Sequence, residues 1–184
     1  MATATTTAPI TADEFLKMDL GDGLHELVRG EVVEVPSPEY EHGQTCANGV
    51  LVLHGFGRRT GHGHAASNDS VVAIGEYDVR GADISYYSEA RWPRANVGKE
   101  RPPVPPDLVV EALSASDRPS KVLQKVADYL DAGVGMVWVL SNRRRNLTIY
   151  RAGDPTPVVL GEAELLADLP ELPGFSCRVA EFFD

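Results

Sequence analysis

Cysteine is scarce in this chain. Cys46 and Cys177 are the only two in 184 residues, and neither a disulfide framework nor paired-cysteine metal spacing can be built from them. Long apolar runs are missing as well. None approaches the roughly 18 residues that a membrane span needs, so no membrane partner is expected. The N-terminal MATATTTAPI has neither the basic start nor the apolar centre of a signal peptide, and a cytoplasmic protein is the resulting expectation. Cations are also short, with 17 Lys and Arg against 27 Asp and Glu for a net charge of −10. Affinity for nucleic acid comes largely from neutralised phosphates, which excludes a generally basic binding surface. Any DNA contact must use a local patch, with a divalent metal offsetting carboxylates. Arg58-Arg59 beside His62 and His64 is one candidate patch, and Arg143-Arg144-Arg145 is another. Each reads more readily as a solvated loop. Neither a P-loop nor a glycine-rich dinucleotide turn is present, which argues against a nucleotide hydrolase.

What remains is ordinary globular composition, 43% hydrophobic and 24% charged, in a length that suits one domain. Residues 1–10 form a Thr-rich tail expected to be disordered, and residues 11–184 a single domain without repeats or linker. The chain is organised around Asp107 to Leu140. Leu108 to Leu113 is apolar on both faces, as a doubly covered strand is. Arg118 to Ala132 has helical periodicity with Val122, Leu123, Val126, Tyr129 and Leu130 on one face. Gly133 ends that helix, and residues 135–140 follow as a second buried strand. Together they predict one βαβ unit.

Around this unit the pattern predicts a short capped helix from Thr11 to about Met18. A hairpin over His25–Val35 should turn at Arg29-Gly30, with Leu27, Val33 and Val35 contributing apolar side chains. A helix from Glu39 to about Thr60 carries Cys46, Val50, Leu53 and Gly57 along one side, although its four glycines weaken it. Strands are expected over residues 64–74 and Ala82–Tyr87, with a turn near Arg80-Gly81. A Pro-rich loop spans 88–106. Strands over 146–151 and 157–160, a helical turn over 162–166 and a closing segment over 174–179 complete the chain. Trp92 reads as loop packing and Trp138 as core.

One residue violates the central strand's apolar rule. Alternation puts Glu111 on a face with Val109 and Leu113, and a carboxylate there is costly unless it is paired. On the helical wheel Lys125 lies at the margin of the apolar face, best placed of the helix lysines to lean over the sheet. On the Ala82–Tyr87 strand Asp83 shares a face with Ser85 and Tyr87, opposite Ala82, Ile84 and Tyr86. Asp and Glu from neighbouring strands commonly hold Mg²⁺. With Lys125 they form a set able to bind metal, activate water and stabilise charge on a phosphodiester. The same three residues also suit a purely structural ion-pair network. Asp107 is roughly 13 Å from Glu111 along the strand, too far to share an ion. His54, His62 and His64 lack the acidic or cysteine partners of a zinc site.

An ordered set of short segments adds to this reading. They are residues 11–16 (TADEFL), 25–34 (HELVRGEVVE), 37–43 (SPEYEHG), 82–85 (ADIS), 106–114 (PDLVVEALS), Lys125 with Tyr129, 132–134 (AGV) and 137–139 (VWV). In this set the chain resembles the Uma2 family of restriction-type endonucleases within the PD-(D/E)XK nuclease superfamily. The resemblance implies an α/β, restriction-endonuclease-like core with a mixed central sheet flanked by helices. It also implies Mg²⁺- or Mn²⁺-dependent phosphodiester hydrolysis on DNA by a homodimer. Asp83 and Glu111 would be the metal ligands and Lys125 the motif lysine, displaced from strand position 113 into the helix. Glu26, Glu31 and His42 would be additional site positions. Ala82 replaces the usual proline before Asp83, Ala115-Ser116 the usual Pro-Ser after Ser114, and Ser141 a frequent Asp. A non-catalytic protein of nuclease fold, acting as a dimeric accessory or binding module, is the alternative.

Overall fold

The computed structural model describes residues 8–99, 101–114 and 117–184. The expected disordered tail, in its residues 1–7, and the Ala115-Ser116 turn lie outside the described residues. Ile10, the last tail position, is held by a backbone bond from its N–H to Gly30.

Helix α1 (Ala12–Phe15) is shorter than expected and closed by a Thr11–Glu14 capping box. Strands β1 (Leu24–Val28) and β2 (Glu31–Val35) form the hairpin, with Arg29 and Gly30 both at positive φ in the tight turn. Leu27 and Val32, not Val33, pack against α1. Val33 stands opposite Glu26 and is exposed, because the antiparallel register places it on the other face. Helix α2 (Tyr40–Thr60) is followed by β3 (Gly63–Gly75) and β4 (Asp78–Ser88). The central unit is β5 (Leu108–Leu113), α3 (Pro119–Asp131) and β6 (Met136–Ser141). Beyond it come β7 (Asn146–Arg151), β8 (Asp154–Gly161), β9 (Leu165–Ala167) and β10 (Ser176–Arg178). The helical turn expected over 162–166 is instead a tight turn leading into β9, which pairs with β10.

Among the described residues, eight strands make one mixed sheet in the order β2-β1-β4-β5-β6-β7-β8, with β3 paired to β4. Strands β5 and β6 are parallel, with Glu111 opposite Val139. Helix α2 covers one face over Leu108, Val110, Trp138 and Phe182. Helix α3 covers the other over Val109, Val137 and Val139, using Val126 and Tyr129. Leu123 falls outside that packing at 51% exposure, since its place on the wheel overshoots the sheet. Trp138 is fully buried, and Trp92 is buried against His64 and Tyr87.

The four glycines of α2 divide by position. A Cβ on Gly57 would lie 2.1 Å from the Gly63 carbonyl oxygen, and one on Gly49 would lie 2.5 Å from Ile84 Cδ1; at Gly43 and Gly55 it would meet nothing within 4 Å. Gly57 is what lets α2 approach the start of β3. We expect Gly57→Ala to destabilise by about 2 kcal/mol or more through forced overpacking. Gly55→Ala should stabilise by roughly 1 kcal/mol through helix propensity alone. Urea unfolding of both variants reads the opposite signs directly.

Candidate active site

Strand β4 runs through Arg80 and Gly81 without turning; the turn lies at Glu76-Tyr77, between the Gly75↔Asp78 pair. Strand β3 occupies one edge of β4 along its length. The other edge is shared, pairing with β5 at Ile84–Tyr86 and with β1 at Val79. Between these contacts β1 and β5 diverge and the sheet forks at residues 80–83. Ladder bonds missing there are replaced by side chains. The Gly81 N–H donates to Glu26 Oε1 at 3.1 Å, and its carbonyl accepts from Lys125 Nζ at 3.2 Å. Asp83 Oδ2 accepts from the Ala112 N–H at 2.7 Å, where Ala82 and Ala112 would otherwise pair. The fork also breaks the expected alternation. Ala82 packs on the α3 side, whereas Ile84 and Tyr86 lie on the α2 side.

Into this fork the fold brings five of the six residues singled out in the sequence. Glu26, His42, Asp83, Glu111 and Lys125 all line one cleft of about 650 Å³. Glu31 does not join them; it sits exposed on β2, opposite Val28. Lys125 Nζ is shared by Glu111 Oε2 at 2.8 Å, Glu26 Oε1 at 3.2 Å and the Gly81 carbonyl. Tyr129 donates its hydroxyl to Glu111 Oε1 at 2.8 Å, so both oxygens of the buried carboxylate are held. Arg80 donates to Glu26 Oε2 at 3.0 Å and also pairs with Asp128. His42 Nε2 lies 3.1 Å from Asp83 Oδ2 and its ring borders Cys46 Sγ at 3.6 Å. Both Asp83 bonds fall on Oδ2, and Oδ1 takes part in neither.

Charge in this cluster is unbalanced. Glu26, Asp83, Glu111 and Asp128 bring four carboxylates, against the permanent cations Arg80 and Lys125 and the imidazole of His42, so with all four ionised and His42 protonated one negative charge is left over. The surroundings respond accordingly. Burial raises Glu111 to about 7 against the opposing pull of Lys125, and the Asp83 charge adds to the rise. His42 is raised to about 10 by its bonds to Asp83 and Cys46. Hard carboxylate oxygens, a residual negative charge and an open cleft fit a divalent cation such as Mg²⁺.

A pH dependence follows from Glu111. Its folded-state value is raised above the ordinary 4.5, so the folded protein binds more protons than the unfolded chain. The contribution to stability is full below pH 4.5 and is lost as pH rises through about 7, amounting to no more than about 3 kcal/mol. Urea unfolding across that window, without added metal, should show wild type losing stability that Glu111→Gln retains. His42 acts in a separate window, its contribution present below 6.5 and lost through about 10.

Several of these groups escaped the sequence reading. From local pattern Arg80 reads as a turn residue and Tyr129 as packing. Asp128 and Cys46 carried no functional reading. Cys46 had a signal: it stands four residues after His42 on one helix, so both face the same way. Cysteine-to-cysteine spacing could not reveal it. His54, His62 and His64 are engaged separately, His54 with the Ala65 carbonyl, His62 with Tyr86 and His64 in stacking on Tyr87.

The profile of the Uma2 family, described as "Putative restriction endonuclease", matches residues 12–180. Among solved structures, the chain is similar to one described as a "putative nuclease belonging to DUF820" from Anabaena variabilis. The TM-score is 0.81 at 22% identity, covering 95% of this chain and 98% of that one. That likeness establishes the shared fold, the mixed α/β sheet flanked by helices. No curated protein matches. Among the described residues, no helix is long and apolar enough to cross a membrane.

Proposed function

The chain belongs to the Uma2 family of restriction-endonuclease relatives, and from that premise we propose that it is a divalent-metal-dependent endonuclease hydrolysing phosphodiester bonds in DNA. The observation that carries the reading is the fork. It gathers Asp83, Glu111 and Lys125 in one cleft, in a network whose carboxylates outnumber its cations. Asp83 and Glu111 would hold the ion. Bound Mg²⁺ or Mn²⁺ supplies a water of lowered pKa and offsets charge on the phosphate.

The chain's own groups do the rest. Lys125 and Tyr129 each grip one oxygen of Glu111, so that carboxylate cannot rotate away from the cleft. Lys125 also brings the fixed positive charge that meets the negative charge building on the phosphoryl oxygens and orients the attacking water. His42, bonded to Asp83, is placed to pass on a proton. A groove of about 690 Å³ shares His42, Ser114 and Asp117 with the cleft and bears Arg143 and Arg144 beside Glu39 and Glu41; those two arginines are its contacts for DNA phosphates. Cutting both strands of a duplex calls for two clefts, which a homodimer in the cytoplasm would supply.

A second reading draws on the same Glu111–Lys125 contact. The network could serve stability alone, in a dimeric accessory protein of nuclease fold. Calorimetric titration with Mg²⁺ or Mn²⁺, with plasmid nicking followed in parallel, separates the two. Metal binding together with chelator-sensitive nicking is expected. No binding at millimolar metal would overturn the nuclease reading and leave the structural one.

A further inference from the structure

Beside the proposed magnesium pair lies a second set of donors with different chemistry. Among the described residues, one group of His, Cys and carboxylate side chains brings its ligand atoms within 4.8 Å of one another: His42, Cys46 and Asp83. None of the family-like segments includes Cys46. Its place on the same face of α2 as His42 comes from the four-residue spacing. Asp83 approaches from β4 across the fork, and all three side chains are largely withdrawn from solvent.

We propose that His42, Cys46 and Asp83 form a binding site for a borderline-soft divalent transition metal ion of the Zn²⁺ or Co²⁺ type. The separations support it. In a tetrahedral site with Zn–S near 2.3 Å and Zn–N near 2.0 Å, nitrogen and sulfur stand about 3.6 Å apart and nitrogen and carboxylate oxygen about 3.4 Å. Here His42 Nε2 is 4.0 Å from Cys46 Sγ and 3.1 Å from Asp83 Oδ2. Those two edges close with shifts of a few tenths of an ångström, and the third, Cys46 Sγ to the Asp83 carboxylate, lies within 4.8 Å against about 3.5 Å in such a site. Thiolate and imidazole select against Mg²⁺, which prefers oxygen donors, and in favour of zinc-like ions. Three protein ligands leave a fourth position open towards the cleft, which His42 and Asp83 line. Asp83 belongs to both sets, so a zinc-like ion here competes with Mg²⁺ for it instead of adding to it.

Titration of the purified full chain with Co²⁺, followed by absorption spectroscopy, tests this without any activity assay. Wild type should develop one equivalent of a thiolate-to-cobalt charge-transfer band, and Zn²⁺ should bleach it. Cys46→Ser and Cys46→Ala should lose the band. Their Co²⁺ affinity should fall by more than the about 10- to 100-fold that the loss of an outer-shell partner costs. Cys177→Ala and Glu111→Gln should keep the band, which separates this site from the proposed magnesium pair. If the Cys46 variants do not fold by far-ultraviolet circular dichroism, His42→Ala tests the same set from its other end. A wild type without the band, or a band that survives in Cys46→Ser or in His42→Ala, would overturn the proposal. Magnesium-dependent nicking could persist through either outcome.

Discussion

Lys125→Ala is expected to bind Mg²⁺ and fail to cut. The lysine reaches three acceptors, Glu26, Glu111 and the Gly81 carbonyl, and none of these would be lost from the cleft with it. Removing its charge takes away a cation that competes with the metal ion for Glu111 and lets Glu111 hold its proton more tightly, so metal binding should persist once pH is raised enough to ionise the carboxylate. Cleavage loses the cation that meets charge developing on the phosphate, and the rate of nicking should fall about 10²- to 10³-fold. Glu111→Ala should behave differently, losing metal binding and nicking together, because it removes a proposed ligand. The contrast between the two variants is the informative result. Calorimetry and plasmid nicking on the same preparations, after circular dichroism confirms folding, give both readings. Lys125→Ala cutting at the wild-type rate would remove the lysine from the mechanism. Metal binding retained in Glu111→Ala would remove Glu111 from the ligand set.

Arg80→Met should cost about 3–5 kcal/mol of stability, among the largest effects available to one substitution here. The guanidinium is buried and bonds Glu26 on one side and Asp128 on the other. Taking it away leaves Asp128 with Gln124 and Glu26 with Lys125 and the Gly81 N–H, in a poorly solvated place, and breaking one side of a buried pair is worth that much. For a domain of this size the melting temperature should drop by roughly 10 °C. Removing the charges of these two carboxylates as well should recover part of the loss. The triple variant Arg80→Met, Glu26→Gln, Asp128→Leu is therefore expected to melt above Arg80→Met alone. Thermal unfolding decides the matter, and a loss under about 1 kcal/mol would show that water reaches these carboxylates freely.

The central βαβ unit could be read from the chain because its signals are local. A doubly apolar strand, a 3.6-residue periodicity and a terminating Gly133 all lie within about thirty residues, and each reports on its own immediate neighbours. Glu111 and Lys125 belong to that unit, only 14 positions apart. One odd carboxylate and one marginal lysine therefore predicted a contact that the structure makes. The capping box at Thr11 and the Arg29-Gly30 turn were legible for the same reason.

The fork was not. Arg80-Gly81 looks like a turn because glycine next to a charged residue usually is one. It is strand because β3 pairs along its whole length, while β1 and β5 divide the other edge. Pairing between strands distant in sequence leaves no mark in local periodicity, and a switch of partners halfway along an edge leaves none either. Glu26 meets Arg80 across 54 positions and His42 meets Asp83 across 41. No spacing rule reaches so far. Hydrophobic pattern and turn chemistry thus determined the elements and their buried faces. Only the tertiary structure decided which charged side chains meet, because the gap between β1 and β5 leaves backbone groups that side chains from three separate elements must satisfy.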